Sequence, residues 1–180
     1  RAALNFMHRE GELASVPFIM DVPKGEPRDP RLTVEQIGAF TTTQLNSFTV
    51  TQISGLASTQ VQSLSTTTIG GLGATQLAAL SETAIQSLSS QQAAALSATQ
   101  FLSLGAAKIA AMSSTAIAGL PPADLAALTS TMLGGAGLTA TWASALTIDQ
   151  VASFNTTQVA ALSSTLVGGL SAQQVSALSL

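Results

Sequence analysis

The chain of 180 residues has 46% apolar residues, 8% charged residues, no cysteine and a formal net charge of −3. Without cysteine it has no disulfides, no thiolate nucleophile and no cysteine metal site, and its few basic residues form no footprint for nucleic acid. Polar residues interrupt every apolar stretch well before the roughly 20 residues that a membrane span needs. Because the sequence opens at Arg1 without a signal peptide, we expect a processed product or an excerpt.

Residues 1–31 differ from the rest of the chain and are predicted to be an N-terminal arm and linker. They hold ten of the fifteen charged residues. Ala2–Leu13 has the spacing of a short amphipathic helix, Ala14–Val22 is an extended apolar segment flanked by proline, and Lys24–Arg31 is a charged linker. Three interpretations stay open for the arm: a cap over the first coil, an extension that docks on a neighbouring molecule, or a piece of an upstream domain.

From Thr33 onwards the sequence repeats one eight-residue phrase, Ser/Thr-x-x-Gln-(Ile/Val/Leu)-x-x-Leu, whose positions we number 1 to 8. Thirteen octads run to Ala136, the ten-residue unit Gly137–Leu146 shifts the register by two, and four more octads follow from Thr147. A short fixed period is typical of stacked repeat proteins. We therefore predict an octapeptide-repeat solenoid over residues 32–180, with a register slip at 137–146.

The apolar residues of the repeat recur at alternating spacings of three and five. Both spacings are odd, so an extended strand would place these residues on opposite faces. A continuous α-helix would also fail, because eight residues at roughly 100° each rotate the apolar stripe by about 80° per octad. Ser/Thr followed three residues later by Gln is the capping box of a helix N-terminus. We predict an all-α, solenoid-like coil of short capped helices, one per octad, with a β-solenoid as the alternative.

The same register predicts the core. Positions 5 and 8 carry the aliphatic residues and should form one continuous core, in which Leu64, Leu80, Leu88, Leu96 and Leu162 are almost fully buried. An isolated octad buries too little apolar surface to offset the ordering of eight residues, so neighbouring units must stack. Alanine and glycine pairs at positions 6 and 7, such as Gly70-Gly71, should allow close approach of the backbones.

Candidate chemistry is sparse. His8 with Glu10 and Glu12 lacks the spacing of a helical zinc motif, and a Ser-His-Asp triad would need this single histidine. Trp142 is a ligand platform or, as we prefer, fills the void left by the register slip. Asn155 matches the glycosylation pattern, but the repeat makes it an N-cap. We expect no enzyme activity, no cofactor and no metal.

Tandem segments such as LSATQFLSL and LTIDQVASFNTTQVAALSSTLVGGL resemble the octapeptide (Leu-Ser/Thr-x-x-Gln-Val/Ile-x-x) repeat tracts of large, cysteine-poor, secreted or surface-attached bacterial adhesin-like proteins. The resemblance covers residues 32–180, about four-fifths of the chain. It implies an extracellular structural or adhesive setting, and it supplies no catalytic residues.

These observations lead us to expect a structural subunit of an extracellular bacterial filament, sheath or surface layer, which assembles head-to-tail with copies of itself. We expect it outside the cell or at a cell surface, where it would be attached, and we expect no nucleic acid and no membrane span. The residues expected to make the self-assembly contact are Pro17, Phe18, Ile19, Met20, Val175, Leu178 and Leu180. Two alternatives are a spacer or binding segment of a large secreted adhesin, and a solenoid whose Ser/Thr rows order water. The mixed residues of those rows disfavour the second.

Overall fold

The computed structural model describes residues 32–135 and 137–178. Over these residues the chain forms 18 short α-helices and no strand, which confirms the predicted all-α coil. The helices are α1 Val34–Gly38, α2 Thr42–Asn46, α3 Val50–Ser54, α4 Ser58–Ser63, α5 Thr66–Gly70, α6 Ala74–Ala79, α7 Glu82–Gln86, α8 Ser90–Ala94, α9 Ala98–Ser103, α10 Gly105–Ala111, α11 Ser114–Gly119, α12 Pro122–Ala126, α13 Ser130–Gly134, α14 Ala140–Ser144, α15 Ile148–Ala152, α16 Thr156–Ala160, α17 Ser164–Gly169 and α18 Ala172–Ala177.

Each helix except α10 begins directly after position 1 of its octad, where the sequence places an N-cap. In α8, for example, the Ser89 hydroxyl accepts from the Gln92 amide, and the Gln92 Oε1 accepts from the Ser89 amide. Complete capping boxes of this kind begin at Thr33, Thr41, Thr49, Ser89, Ser97, Thr147, Asn155 and Ser171. At Ala57 and Gly73 only the glutamine half exists, because these residues have no side-chain acceptor. The assignment of Asn155 as an N-cap is confirmed.

Two octads begin differently. Pro122 occupies the first helical position of α12, where proline is preferred, after an N-cap residue, Pro121, that has no amide hydrogen. Between α9 and α10 the chain does not become extended, because Leu104 is helical and Gly105 has φ +73°. That left-handed conformation is open to glycine without steric cost, which explains why glycine replaces the usual cap residue here.

The helices wind into a coil in which each one packs against the helix three places further along the chain. Thus α1 packs on α4, α8 on α11 and α15 on α18. Three octads provide 24 residues, and side-chain hydrogen bonds between neighbouring turns join residues 25 to 33 apart. One turn of the coil therefore takes between three and four octads.

A single apolar core runs through the described coil and consists mainly of positions 5 and 8, as the register predicted, with Ala84, Ala116, Trp142 and Leu166 at position 4 added to it. Leu80 is 0% exposed, and Leu64, Leu88 and Leu96 are exposed by at most 4%. The prediction for Leu162 is wrong, since this side chain is only partly buried. Leu162 lies in the last described turn, where no further turn covers it.

Small residues at position 7 allow the turns to approach closely. A Cβ added to Gly119 would lie 2.4 Å from the carbonyl oxygen of Ser90, and one added to Gly169 would lie 2.4 Å from that of Ala140. A Cβ on Gly71 would instead meet the side chain of Thr42. These pairs place position 7 against position 2 of a neighbouring turn, 29 residues earlier, and Gly119 and Gly169 mark tight contacts between backbones.

The ten-residue unit Gly137–Leu146 contains a regular octad of its own. Thr139 caps α14, whereas Leu138 is 2% exposed and joins the core. The two extra residues are therefore Gly137 and Leu138, and Leu138 supplies the apolar side chain that position 8 supplies elsewhere.

Core and surface positions should differ sharply in their contribution to stability. We expect Leu80→Ala to lower the free energy of unfolding by about 2–5 kcal/mol, because it leaves a cavity in a fully buried site. Gln62→Ala, at an exposed position 6, should change it by no more than about 0.5 kcal/mol. Urea denaturation followed by circular dichroism measures both. Equal losses at the two positions would refute the register, and Leu162→Ala should fall between them.

Candidate functional site

The most distinctive group of the coil is the glutamine side chain at position 4, which bonds in two directions. Its Oε1 belongs to the capping box of its own helix. Its Nε2 reaches the previous turn: that of Gln92 donates to the carbonyls of Val61 at 2.9 Å and Leu64 at 2.8 Å. These acceptors are positions 5 and 8 of an octad four units earlier. We call this series of bonds between turns the glutamine ladder.

The glutamine ladder recurs along the coil with nearly constant geometry. Gln76 donates to Leu45 at 3.0 Å and Phe48 at 2.9 Å, and Gln174 donates to Ala143 at 3.2 Å and Leu146 at 2.7 Å. The buried members are Gln76, Gln92, Gln100, Gln150, Gln158 and Gln174, each exposed by at most 9%. Buried polar groups are costly unless they are bonded, and here both ends of the carboxamide have partners.

The glutamine ladder continues across the register slip with the same octad positions bonded. Before it, the glutamine reaches carbonyls 28 and 31 residues earlier, as Gln92 does. Across it, Gln158 reaches Leu128 and Leu125, which are 30 and 33 residues earlier. The two extra residues therefore lengthen the loop between turns, while the same positions of the octad remain bonded.

Serine at position 7 adds a second bond between turns. The hydroxyl of Ser63 donates to the carbonyl of Val34 at 3.0 Å, and that of Ser103 donates to Ala74 at 3.1 Å. Both acceptors are position 2, 29 residues earlier. Position 7 thus holds either a hydroxyl that bonds across the turn or a small residue that allows close approach.

Position 4 lacks glutamine in the five consecutive units from Gly105 to Leu146, where it is occupied by Lys108, Ala116, Asp124, Met132 and Trp142. The ammonium group of Lys108 donates to the carbonyl of Ala78, 30 residues earlier, and so replaces the glutamine amide with a cation. Trp142 is 2% exposed, so its ring has no accessible face for a ligand. It occupies the position that holds glutamine in other octads.

Two buried polar side-chain atoms have no hydrogen-bond partner among the described residues. They are the Oδ2 of Asp124 and the Nε1 of Trp142. Asp124 is 4% exposed, and this burial raises the pKa of its carboxyl group to about 6. By the spacing of 28 residues seen for Gln92, its position faces the carbonyl of Leu96. A neutral carboxyl group has a hydrogen to donate there, whereas a carboxylate has none.

The final turn, which we define as the octads 155–162, 163–170 and 171–178, leaves part of its core uncovered. Val167 and Val175, both at position 5, are each 47% exposed, whereas Ile37, Leu45 and Ile53 at position 5 of the first three octads are 0% exposed. Position 5 is therefore covered by the turn that follows it. The final turn presents its apolar side chains and its position 5 and 8 carbonyls at the C-terminal end of the coil.

Two of the residues predicted for self-assembly, Val175 and Leu178, lie within the described region. Val175 is exposed, and Leu178 is partly buried against the core. Pro17, Phe18, Ile19, Met20 and Leu180 lie outside the described residues, as do His8, Glu10 and Glu12. Over residues 32–135 and 137–178, no three His, Asp or Glu side chains come together as a metal site, and no helix there has the length and apolar character to cross a membrane.

No family model, curated protein or solved structure matches this chain.

Sequence reasoning found the capping role of the position 4 glutamine but missed its bonds to the previous turn. A hint was present in the sequence. A capping box accepts either Glu or Gln, yet all ten boxes and half-boxes here use Gln. Only the amide offers hydrogens to a second set of acceptors, so the consistent choice of Gln indicates that its nitrogen has partners.

Removing one amide from the glutamine ladder should weaken the coil even if the capping box survives. Gln92→Glu keeps an acceptor for the Ser89 amide but removes the donor to Val61 and Leu64. We expect the free energy of unfolding to fall by about 1–3 kcal/mol, the usual cost of a buried group without its partner. Gln86→Glu makes the same charge change at an exposed position and should cost no more than about 0.5 kcal/mol. Equal losses in urea denaturation would contradict the role of the ladder.

The raised pKa of Asp124 predicts a pH dependence of stability. A folded-state pKa of about 6, above the ordinary 3.8, means that the folded chain binds more protons than the unfolded chain between these values. The contribution of Asp124 to stability is therefore greatest below pH 4 and is lost as the pH rises through about 6, by about 3 kcal/mol at most. The expected measurement is a decline in melting temperature over this range that is absent in Asp124→Asn.

The comparison with Asp124→Asn isolates this group from other carboxylates. Helix α12 packs against α9, which has no titratable residue, and α15, which carries the exposed Asp149. Asp149→Asn should therefore retain the decline. If the variant with Asn at 124 follows the same pH curve as the parent chain, the assignment is wrong.

Proposed function

We propose that this chain is a structural subunit that assembles head-to-tail into an extracellular bacterial filament, sheath or surface layer. The observation that carries the proposal is the uncovered final turn, where Val167 and Val175 are each 47% exposed although their counterparts in earlier turns are fully buried. Covering such side chains is favourable by about 25 cal/mol per Å² of apolar surface. A second copy of the coil has the shape to cover them, because each turn already packs on one of its own kind.

The sparse charge of the coil supports association. The charged residues of the described region are Glu35, Glu82, Lys108, Asp124 and Asp149, and Asp124 is buried. A surface with so few charges provides little repulsion between copies. The ordinary barrier to association of elongated proteins is therefore weak here.

A contact between opposite ends of two copies does not use the same surface twice. When such a contact does not close into a ring, it produces an open helical filament. We propose that the arm strengthens this contact: residues 1–31 of one copy dock on or near the last octads of the next, with Pro17, Phe18, Ile19 and Met20 as the apolar segment that binds. Copies of the same chain are then the partners, and no enzyme activity or cofactor is needed.

A spacer or binding segment of a large secreted adhesin is the second candidate. The unbroken core from Ile37 to Leu166 favours it, since a coil that stacks along one axis holds distant ends apart. This candidate predicts a soluble monomeric rod, whereas the first predicts ordered polymers of this chain alone.

Negative-stain electron microscopy of the purified chain should show filaments whose length increases with concentration. Deleting residues 1–23 should abolish long filaments, while circular dichroism shows that the helical coil is retained. In the full chain, Phe18→Ser with Ile19→Ser should have the same effect. Ile148→Ser removes an exposed apolar side chain outside the first and final turns and should leave the filaments intact. A chain that stays monomeric at high concentration would exclude the proposal, and a deletion that polymerises normally would exclude the role of the arm.

A further inference from the structure

We propose that the contact between copies continues the glutamine ladder: Gln36, Gln44 and Gln52 of one copy donate to the backbone carbonyls of the final turn of the next. This inference rests on the proposed function, because it specifies the interface of the same head-to-tail assembly. It identifies the surface by its hydrogen-bonding groups and identifies the partner as a second copy of this chain.

The donors lie at the N-terminal end of the coil. The Oε1 atoms of Gln36, Gln44 and Gln52 accept from the amides of their own N-cap residues, at 2.8 to 2.9 Å. Among the described residues their Nε2 atoms have no acceptor, and the first glutamine that bonds to an earlier turn is Gln60, which donates to Leu32. Three amide nitrogens at this end of the coil therefore have no acceptor among the described residues.

The acceptors lie at the other end. In earlier turns the ladder ends on the carbonyls of positions 5 and 8, for example Val61 and Leu64. The corresponding carbonyls of the final turn belong to Val159 with Leu162, Val167 with Leu170, and Val175 with Leu178. The final turn thus has three pairs of carbonyls, one pair for each of the three glutamine donors.

The spacing of the ladder selects one register for the contact. Each glutamine bonds to a position 5 and a position 8 four octads earlier. If Gln36 bonds to the carbonyls of Val159 and Leu162, then Gln44 bonds to those of Val167 and Leu170. Gln52 then bonds to those of Val175 and Leu178. Leu32 then supplies position 8 of the octad between the two coils, so its bond with Gln60 remains. A register one octad shorter would bring Leu178 to the place where Leu32 already lies.

The same register covers the exposed apolar surface. Within the coil, the turn that carries a glutamine covers the position 5 side chain beneath it, as Gln92 and its turn cover Val61, which is 0% exposed. Val167 and Val175 would be covered in the same way. Because donors and acceptors lie at opposite ends of the chain, the contact is heterologous and propagates in one direction.

Residues 1–31 of the same chain are the competing occupant of the N-terminal end. The ladder spacing of 28 to 31 residues would direct Gln52 to residues 21–24 and Gln44 to residues 13–16. In that case the arm would cap its own coil, and no contact between copies would form through these glutamines. The experiments below separate the two occupants.

Disulfide cross-linking tests the register directly, because the chain has no cysteine of its own. Position 7 packs on position 2, 29 residues earlier: a Cβ on Gly71 would lie 3.2 Å from that of Thr42, close to the roughly 3.5–4.5 Å of a disulfide. In the proposed register Ser47 of one copy meets Ala172 of the next. After oxidation, the double variant Ser47→Cys with Ala172→Cys should therefore give a series of covalent multimers on a denaturing gel.

Two matched pairs control this experiment. Ser58→Cys with Ser87→Cys joins neighbouring turns of one copy, where the Ser87 hydroxyl lies 3.3 Å from the Ser58 carbonyl, and should cross-link only within the chain. Ser47→Cys with Ser164→Cys is one octad out of register and should give no multimers. Multimers from this second pair as readily as from Ser47 with Ala172 would overturn the register.

Substitution of the donors tests their part in assembly. Gln36→Glu, Gln44→Glu and Gln52→Glu together keep the capping boxes, since Glu also serves there, but place carboxylates against carbonyl oxygens. We expect the critical concentration for filaments to rise by at least about tenfold, equivalent to about 1.4 kcal/mol per contact. Gln62→Glu, Gln86→Glu and Gln91→Glu make the same charge change at exposed positions and should change it by less than about twofold.

The possible failures are distinct. If the unmodified chain forms no polymer, the proposed function fails and this contact fails with it. If it polymerises but Ser47→Cys with Ala172→Cys gives no multimers, or the three glutamate substitutions leave the critical concentration unchanged, the assembly stands and the glutamine contact is wrong.

Discussion

The coil depends on one carboxamide group that bonds in two directions. The oxygen of each position 4 glutamine fixes the start of its own helix, and the nitrogen fixes the distance to the turn before it. In Gln92 these are a bond of 3.0 Å to Ser89 and bonds of 2.9 and 2.8 Å to Val61 and Leu64. Helices of five to seven residues are too short to be stable alone. Local capping and long-range stacking are therefore coupled through a single side chain.

Much of the fold could be predicted from the sequence because its determinants are local. A hydroxyl at position 1 and Gln at position 4 specify where a helix begins, and the spacing of Leu and Ile specifies which residues are buried; Leu80 and Ile85 are 0% exposed. The number of octads per turn could not be predicted, because it follows from contacts between residues 25 to 33 apart, which a local pattern does not encode. The partial exposure of Leu162 was missed for the same reason: burial at a given position depends on the presence of the next turn.

The turns that contain α7 to α10 and those that contain α11 to α14 meet without any glutamine amide bond. The later of these turns contains α11 to α14, and none of these helices has glutamine at position 4. Apolar packing and the approach of Gly119 to Ser90 hold this interface instead. It also contains the Oδ2 atom of Asp124, which has no hydrogen-bond partner among the described residues. Since stability within a repeat protein is a sum of terms between neighbours, this interface should open at lower free energy than those with the ladder. Within residues 32–135 and 137–178, Asp124 is the buried carboxyl group, so protonation should act on this interface.

The coil has a direction, because the ladder always points from a later turn to an earlier one. Among the described residues, the position 4 amides without an acceptor therefore lie at the N-terminal end, and the carbonyl acceptors with exposed valines lie at the C-terminal end. Two copies that met through the same end would bring donors against donors, or carbonyls against carbonyls, and neither arrangement satisfies these groups. Only opposite ends are complementary. In a filament of the proposed kind, the interaction that sets the distance between turns within a copy would thus also set the polarity of the assembly.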